Sequence, residues 1–93
     1  MGVDPGLIQT GFGIISVRDS QSTLIDYGII KPSLKDNLAH RLLTIFNDVC
    51  KIITDFKPQV FAIEDIFYGK NVKSAMRLGQ ARGASMVAAS SKQ

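Results

Sequence analysis

The sequence has little of what marks several large classes of protein. Among its 93 residues there is no tryptophan, one cysteine and one histidine. A single cysteine excludes an internal disulfide framework, and its place in a helical pattern predicts that Cys50 is a core thiol rather than a nucleophile. No apolar run approaches the roughly 20 residues that span a bilayer. Asp4 and Pro5 stand where a signal peptide would need basic and apolar residues. We therefore expect a cytoplasmic protein.

Acidic residues are missing from the last part of the chain. Residues 1–65 carry eight acids and six basic residues. Residues 66–93 carry no acid and five basic side chains, which are Lys70, Lys73, Arg77, Arg82 and Lys92. A solvated helix face is the ordinary explanation for such charges. Five cations without an acid also fit a surface that meets phosphate groups.

The apolar residues, 45% of the total, recur with the periods of strands and helices. Residues 1–4 are typical of a short strand that ends in turn chemistry, Asp-Pro-Gly. Residues 11–17 predict a second strand with glycines near its start. Residues 23–30 alternate between two faces, as an antiparallel strand does, and residues 18–22 supply the hairpin turn. These three strands are expected to form a meander in a single domain.

The second half predicts a helix, a strand and another helix. Residues 38–56 are an amphipathic helix with Asp36 or Asn37 as its N-cap, and Pro58 lies just beyond its end. Residues 59–63 form a continuous apolar run, which predicts a strand covered on both faces in the middle of the sheet. Residues 70–91 predict a second helix.

Small residues repeat every four positions along that second helix, at Ala75, Gly79, Gly83 and Val87. Two glycines in a helix interior cost roughly 1 kcal/mol each against alanine, so we expect another helix or strand to approach closely there. The complete order is β-β-β-α-β-α. It predicts an α/β domain in which the fourth strand runs parallel to the first.

Two carboxylates follow the apolar runs of the first and fourth strands. Asp4 comes after Val3, and Glu64 comes after Ile63. In open α/β sheets ligands bind beyond the carboxyl ends of the strands, so these side chains converge if the two strands are neighbours. A divalent cation such as Mg²⁺ would compensate their repulsion and could also bind a substrate phosphate. Singly, each acid is better explained as a turn residue or a solvated strand end, whereas the two together, with a basic helix following, favour the metal site.

The opening stretch also fits a different function. "DPGLIQTG" matches D-x-G-x-x-x-x-G, the turn that wraps phosphates in sugar kinases, actin and heat-shock ATPases. Backbone amides at a glycine turn bind anions, and these nucleotide-binding folds share the β-β-β-α-β order. The pattern constrains only three positions. The residues after the fourth strand therefore have to discriminate between the two hypotheses.

The stretch "AIEDIFYGKNVKSAMRLGQARG", together with "GVDPGLIQTGFGII", closely resembles the RuvC family of Holliday-junction resolvases. The resemblance rests on D-P-G-x-x-x-T-G-x-G, I-E-x-x-F, K-N and L-G-Q-A-R-G in the family's order and spacing. It covers essentially the whole chain but only about the first half of such a resolvase. It implies an RNase H-like fold of the retroviral integrase superfamily, with residues 1–93 as the N-terminal half of the nuclease domain.

The resemblance also implies a homodimer that cuts two strands of a four-way DNA junction with Mg²⁺ or Mn²⁺. Asp4 and Glu64 match two of the family's four metal-binding acids, and Asp65 matches none. Phe67 matches an aromatic residue that stacks on bases near the junction centre. The expected DNA contacts are Phe67, Lys70, Asn71, Lys73 and Arg77, and the expected dimer contacts are Gly79, Gln80 and Gly83. Branch-migration proteins of the same recombination pathway are expected partners.

The family's other two acids, its fifth strand and its last helices lie beyond Gln93, and its first strand begins a few residues before Met1. We therefore expect the 93-residue chain alone to be inactive. Two functions from other classes remain open at this point. One is the nucleotide-binding half of a kinase-like or actin-like ATPase, and the other is a non-catalytic DNA-binding module that dimerises through its glycine-striped helix.

Overall fold

The structure is a computed structural model that describes residues 1–66 and 71–92. Its elements follow the predicted order β-β-β-α-β-α. The strands form one sheet in the order β3-β2-β1-β4. The elements are β1 (Gly2–Asp4), β2 (Thr10–Arg18), β3 (Gln21–Ile30), α1 (Leu38–Phe56), β4 (Ala62–Ile63) and α2 (Val72–Ser91).

Strands β2 and β3 form the predicted antiparallel hairpin. Asp19 and Ser20 form its turn with φ angles of 49° and 67°. Positive φ at both positions matches the right-handed twist of the flanking strands. The simple alternation expected along β3 is wrong in one place. The register shifts between Ile14 and Ile15, so that Ile25 is an extra residue on β3 and a β-bulge interrupts the two-face pattern.

Strand β4 pairs with β1 in parallel, as expected, with Val3 level with Ile63. Its predicted position in the middle of the sheet is wrong, because β4 is an edge strand within the described part of the chain. Val60 is 72% exposed and Ala62 is also exposed. A continuous apolar run favours shielding on both sides. Whether a strand gains that shielding depends on neighbours that its own residues do not encode.

Helix α1 has the predicted bounds, because both of its ends carry strong local signals. The Asn37 side chain accepts a hydrogen bond from the His40 amide at 2.8 Å, which makes Asn37 the N-cap. At the other end Lys57 adopts a left-handed conformation with φ of 49°, and its amide donates to the Ile53 carbonyl at 2.8 Å. This cap and the following Pro58 stop the helix.

Helix α2 begins at Val72, two residues later than predicted, because the Asn71 side chain caps it by accepting from the Ser74 amide at 3.1 Å. The buried residues of α2 are Ala81, Ser85 and Ala88, so its packed face is displaced from the predicted stripe. A Cβ added at Gly79 would lie 3.5 Å from Ile66, whereas one added at Gly83 meets nothing within 4 Å. Within the described residues, packing therefore does not require Gly83.

Both helices pack on one face of the sheet. The core joins Met1, Val3, Ile14 and Ile30 of the sheet to Ile45 and Val49 of α1 and to Ala81 and Ala88 of α2. The opposite face is exposed, including Ile15, Val17, Leu24, Tyr27 and Ile29. None of the described helices is long and apolar enough to cross a membrane. The molecule is a two-layer α/β structure whose carboxylate-bearing strand ends lie side by side.

Candidate active site

Asp4 and Glu64 lie next to each other at one end of the sheet. Asp4 is the last residue of β1, and Glu64 directly follows β4. The Glu64 amide donates to the Val3 carbonyl at 3.0 Å, which continues the parallel ladder by one residue and sets the two acids level. Neighbouring strands are about 4.8 Å apart, so the carboxyl groups meet. The convergence expected from the sequence is present in the structure.

The ionisation of Glu64 is opposed by the neighbouring acid. A hydrogen bond that the protonated Glu64 carboxyl donates to Asp4 raises the pKa of Glu64, the Asp4 charge raises it further, and desolvation acts in the same direction. Both residues are exposed, so solvent and solutes can reach them. Two adjacent carboxyl groups present oxygen ligands to a hard cation, which would remove the repulsion between them.

The sheet surface beside the pair is open. Gly11 lies opposite Asp4 on β2, and Gly13 lies opposite Gly2. A Cβ at Gly2 or Gly13 would have nothing within 4 Å, and one at Gly11 would make only an ordinary 3.8 Å contact with Asp4. The glycines that the sequence places near the start of β2 therefore leave room for a large ligand beside the carboxylates.

The loop after Asp4 is held by Thr10, a residue for which the sequence predicted no role. Thr10 is fully buried, and its hydroxyl accepts from the Gly6 amide at 3.1 Å and donates to the Gly6 carbonyl at 2.8 Å. A Cβ at Gly6 would collide with the Gln9 carbonyl, so only glycine fits there. Because the Gly6 amide is already bonded, it is not free to hold a phosphate as the nucleotide-binding hypothesis requires.

Arg41 of α1 is a second residue whose role the sequence did not reveal. Its guanidinium donates to the Leu7 carbonyl at 2.9 Å and so ties the same loop to the helix layer. Its position on the margin of an amphipathic helix carries no signal in the sequence. Thr10, by contrast, could have been found from the sequence. It stands at a fixed place in D-P-G-x-x-x-T, four residues after the glycine to which it is hydrogen-bonded.

Arg82 differs from the free basic residue that the charge pattern suggests. Its Nε donates to the Glu64 carbonyl at 3.1 Å, and its terminal nitrogen forms an ion pair with Asp65 at 3.1 Å. The Arg82 side chain is 25% exposed, whereas that of Asp65 is 88% exposed. Arg82 is thus engaged with the strand end that carries Glu64, and the basic surface is smaller than residue counting implies.

The expected DNA-contacting residues fall into three groups. Lys73 and Arg77 are exposed and four residues apart on α2, so they share one face of the helix. Asn71 uses its side-chain oxygen to cap α2. Phe67 and Lys70 lie outside the described residues.

Lys92, a basic residue that is not among the expected DNA contacts, is roughly 28 Å from Lys73 along the helix axis at 1.5 Å per residue. The two are too far apart to share one small site.

Two of the three expected dimer contacts, Gln80 and Gly83, line an apolar groove between the two helices, and Gly79 does not. Gln80 is exposed, and Gly79 and Gly83 are half-buried. The groove is lined by Ala39, Leu42, Leu43, Phe46, Gln80, Gly83, Ala84 and Val87. Val87 is 60% exposed and Leu43 is 47% exposed. A groove of this kind is a surface on which another helix could pack.

In the described part of the chain the candidate metal ligands at this site are two carboxylates. No group of three or more His, Cys, Asp or Glu side chains in residues 1–66 and 71–92 is arranged to hold a metal ion. The two converging carboxylates nevertheless fit Mg²⁺, which often binds through one or two carboxylates and completes its shell with water and substrate oxygens.

Comparison with known proteins places these features in one family. The family model for "Crossover junction endodeoxyribonuclease RuvC" matches residues 1–93. The protein of that name from Shewanella frigidimarina is 48% identical over 89 residues, which cover 96% of this chain and 51% of that protein. The one from Legionella pneumophila strain Philadelphia 1 is 43% identical over 91 residues, which cover 98% of this chain and 52% of that protein.

Solved structures show the same similarity. The structure "T. thermophilus RuvC in complex with Holliday junction substrate" superposes with a TM-score of 0.88 at 27% identity. The superposition covers 98% of this chain and 57% of that chain. A second structure, of Thermus thermophilus RuvC, gives a TM-score of 0.85 at 28% identity. The chain thus spans about half the length of the curated relatives it matches.

Proposed function

This chain belongs to the RuvC family of crossover junction endodeoxyribonucleases, and we propose that the full-length protein carrying it is a metal-dependent endonuclease that resolves four-way DNA junctions. The observation that carries the proposal is the pair formed by Asp4 and Glu64 on adjacent parallel strand ends. Phosphodiester hydrolysis needs carboxylates on rigid elements that can hold cations against a phosphate.

In this proposal Asp4 and Glu64 are catalytic residues that bind Mg²⁺, or Mn²⁺ in its place. A divalent cation held by these residues would supply a polarised water and neutralise charge on the phosphate. The chain's own part is to hold the two carboxylates at a fixed separation through the β1–β4 ladder. The neighbouring Asp4 carboxylate, which raises the pKa of Glu64, supports this assignment, because two acids this close are typical of a site that lacks positive charge. Two further acids of the family pattern would complete a two-metal centre.

DNA binding is assigned to the start of α2 and the segment before it. Lys73 and Arg77 are exposed on one helix face and would contact phosphates without reading bases. Lys70 and Asn71 are proposed to extend that contact, and Phe67 is proposed to stack on an unpaired base, which is worth roughly 1–3 kcal/mol. The similar T. thermophilus RuvC structure is a complex with a Holliday junction substrate, which supports a four-way junction as the DNA bound here.

The active unit is proposed to be a homodimer, since two symmetric cuts need two active sites. The groove bordered by Gln80 and Gly83 supports this, because it exposes apolar side chains of both helices. Branch-migration proteins of the same recombination pathway are the proposed partners, and the cytoplasm is the proposed location.

The test is Asp4→Asn in the full-length protein. We expect Mg²⁺-dependent cleavage of a synthetic four-way junction to fall about 100-fold or more, as loss of a metal-binding group does. Junction binding, measured by gel shift, should be equal or slightly tighter because a negative charge is removed. Asp48→Asn, at an exposed acid on α1, is the matched control and should cleave normally. Normal cleavage by Asp4→Asn would refute the metal assignment.

A further inference from the structure

Arg82 is the described residue that links α2 to the carboxylate site by side-chain hydrogen bonds. Its Nε donates to the Glu64 carbonyl and its terminal nitrogen to the Asp65 carboxylate, both at 3.1 Å. The other terminal nitrogen lies 3.3 Å from the Met86 sulfur, one turn further along α2. The planar guanidinium therefore spans two consecutive residues of the segment that follows β4.

The Glu64 end of β4 has few other restraints. Strand β4 has two residues in its ladder and forms the edge of the sheet among the described residues. The Glu64 amide is held by the Val3 carbonyl of β1 at 3.0 Å. Arg82 holds the carbonyl of the same residue from the helix layer. With both backbone groups of Glu64 bonded, the direction of its Cα–Cβ bond toward Asp4 is restricted.

Asp65 holds the Arg82 guanidinium in place by an ion pair. It is the third carboxylate at this end of the molecule, and its ion pair with Arg82 directs one of its oxygens toward α2. That contact also neutralises the guanidinium, which is three-quarters buried. Arg82 is thereby unlike Lys73 and Arg77, whose exposure leaves them able to meet phosphate.

From these contacts we propose that Arg82 is a positioning residue, which fixes the Glu64 carboxylate for cation binding and does not bind DNA. Its role in cleavage rests on the proposed function, whereas its effect on cation binding does not. Positioning groups behind metal ligands are worth about 10- to 100-fold in affinity or activity. The sign of the change in affinity is diagnostic. If Arg82 acted by charge alone, its removal would strengthen cation binding at the carboxylates.

The experiment compares Arg82→Gln, Arg82→Lys and Arg77→Gln in the full-length protein. Mn²⁺ affinity is measured by paramagnetic resonance, and junction affinity and the cleavage rate at saturating junction are measured separately. We expect both Arg82 variants to bind Mn²⁺ about tenfold more weakly and to cleave about tenfold more slowly, with junction affinity unchanged. Lysine keeps the charge but cannot offer two coplanar donors. Arg77→Gln should instead weaken junction binding and leave Mn²⁺ affinity unchanged.

A double-mutant cycle adds a second criterion. In a Glu64→Gln background, Arg82→Gln should cause no further loss of Mn²⁺ affinity, because Arg82 acts through Glu64. Unchanged or tighter Mn²⁺ binding by Arg82→Gln, full restoration by Arg82→Lys, or a pattern like that of Arg77→Gln would each overturn the inference. If Mn²⁺ binding depends on Arg82 but the wild-type protein does not cut junctions, the proposed function fails and the inference on Arg82 stands.

Discussion

Among the described residues, Glu64 is the one whose ionisation is shifted by a neighbouring group. Its amide is fixed by β1, its carbonyl by Arg82, and its carboxyl faces Asp4. An isolated glutamate at a strand end would be an ordinary solvated acid. Placed beside Asp4 it has a pKa raised above its ordinary value of 4.5, with the hydrogen bond to Asp4 as the largest cause.

The raised pKa gives a signed prediction for stability. The folded state binds the Glu64 proton more tightly than the unfolded state, so the stability that this proton contributes is present at low pH. It is lost as the pH rises from about 4.5 through the higher pKa of the folded state. In chelated buffer the free energy of unfolding of the wild type should therefore decrease with pH across this range, relative to that of Glu64→Gln.

Urea unfolding at a series of pH values, with EDTA and then with Mg²⁺, measures this difference. Mg²⁺ should restore the stability of the wild type above this pH range and have little effect on Glu64→Gln. Asp48→Asn is the matched control, because Asp48 is exposed on α1 and far in sequence from both strand ends. Parallel curves for the wild type and Glu64→Gln would contradict the coupling between Glu64 and Asp4.

At the scale of elements, α2 combines three separate surfaces along one helix. Its first turns expose Lys73 and Arg77, its middle carries Arg82 against the Glu64 segment, and its small buried residues pack in the core. Gly83 belongs to none of these, because a Cβ there would meet no atom within 4 Å. A glycine that costs roughly 1 kcal/mol in a helix and has no packing role within the described chain favours a close approach by a partner.

The open space at Gly83 predicts the effect of Gly83→Leu in the full-length protein. The side chain would project into the groove beside Val87, where the described chain leaves space. We expect the fold, followed by circular dichroism, to be retained while the proposed homodimer dissociates at least about tenfold more readily in sedimentation equilibrium, because leucine is too large for a close helix contact. Ser90→Leu, at an exposed position of α2 outside the groove, is the control. An unchanged dimer in Gly83→Leu would exclude this groove from the interface.

At the scale of the whole molecule, the structure is a single sheet layered with helices on one side. Its other face exposes Ile15, Leu24, Tyr27 and Ile29, and β4 has an unpaired edge within the described residues. Exposed apolar surface of this extent is typical of a face that packs against another element or chain. It agrees with relatives about twice as long as this chain.

The small number of metal ligands predicts that residues 1–93 alone do not cut DNA. The described residues bring together two carboxylates and no cluster of three or more metal-binding side chains. A pair of this kind should bind Mg²⁺ weakly and cannot fix two cations around a phosphate. Incubation of the purified 93-residue chain with a four-way junction and Mg²⁺ is expected to give no product above that of Asp4→Asn in the same chain. Robust cleavage that Asp4→Asn abolishes would contradict this expectation.

Local signals in the sequence determined most of the secondary structure and identified Asp4 and Glu64 as candidate metal ligands. Helix α1 could be bounded to the residue, because Asn37 and Pro58 act on the backbone next to them. Asp4 and Glu64 could be chosen because each follows an apolar strand in a recognisable motif. Their adjacency could only be expected, since the pairing of β1 with β4 joins residues sixty positions apart and depends on how the intervening helix crosses the sheet.

Only the tertiary structure decided which side chains and strand edges are occupied by contacts within the described chain and which are exposed. The apolar run of β4 indicates a buried strand, yet β4 is an edge in the described chain because burial depends on a neighbour. Arg82 looks in sequence like one more cation of a basic helix. Only the packing of α2 against the end of β4 brings its guanidinium to Glu64 and Asp65. The sequence determines the secondary-structure propensity and the chemical groups at each position. Contacts between segments distant in the sequence decide which groups those side chains meet.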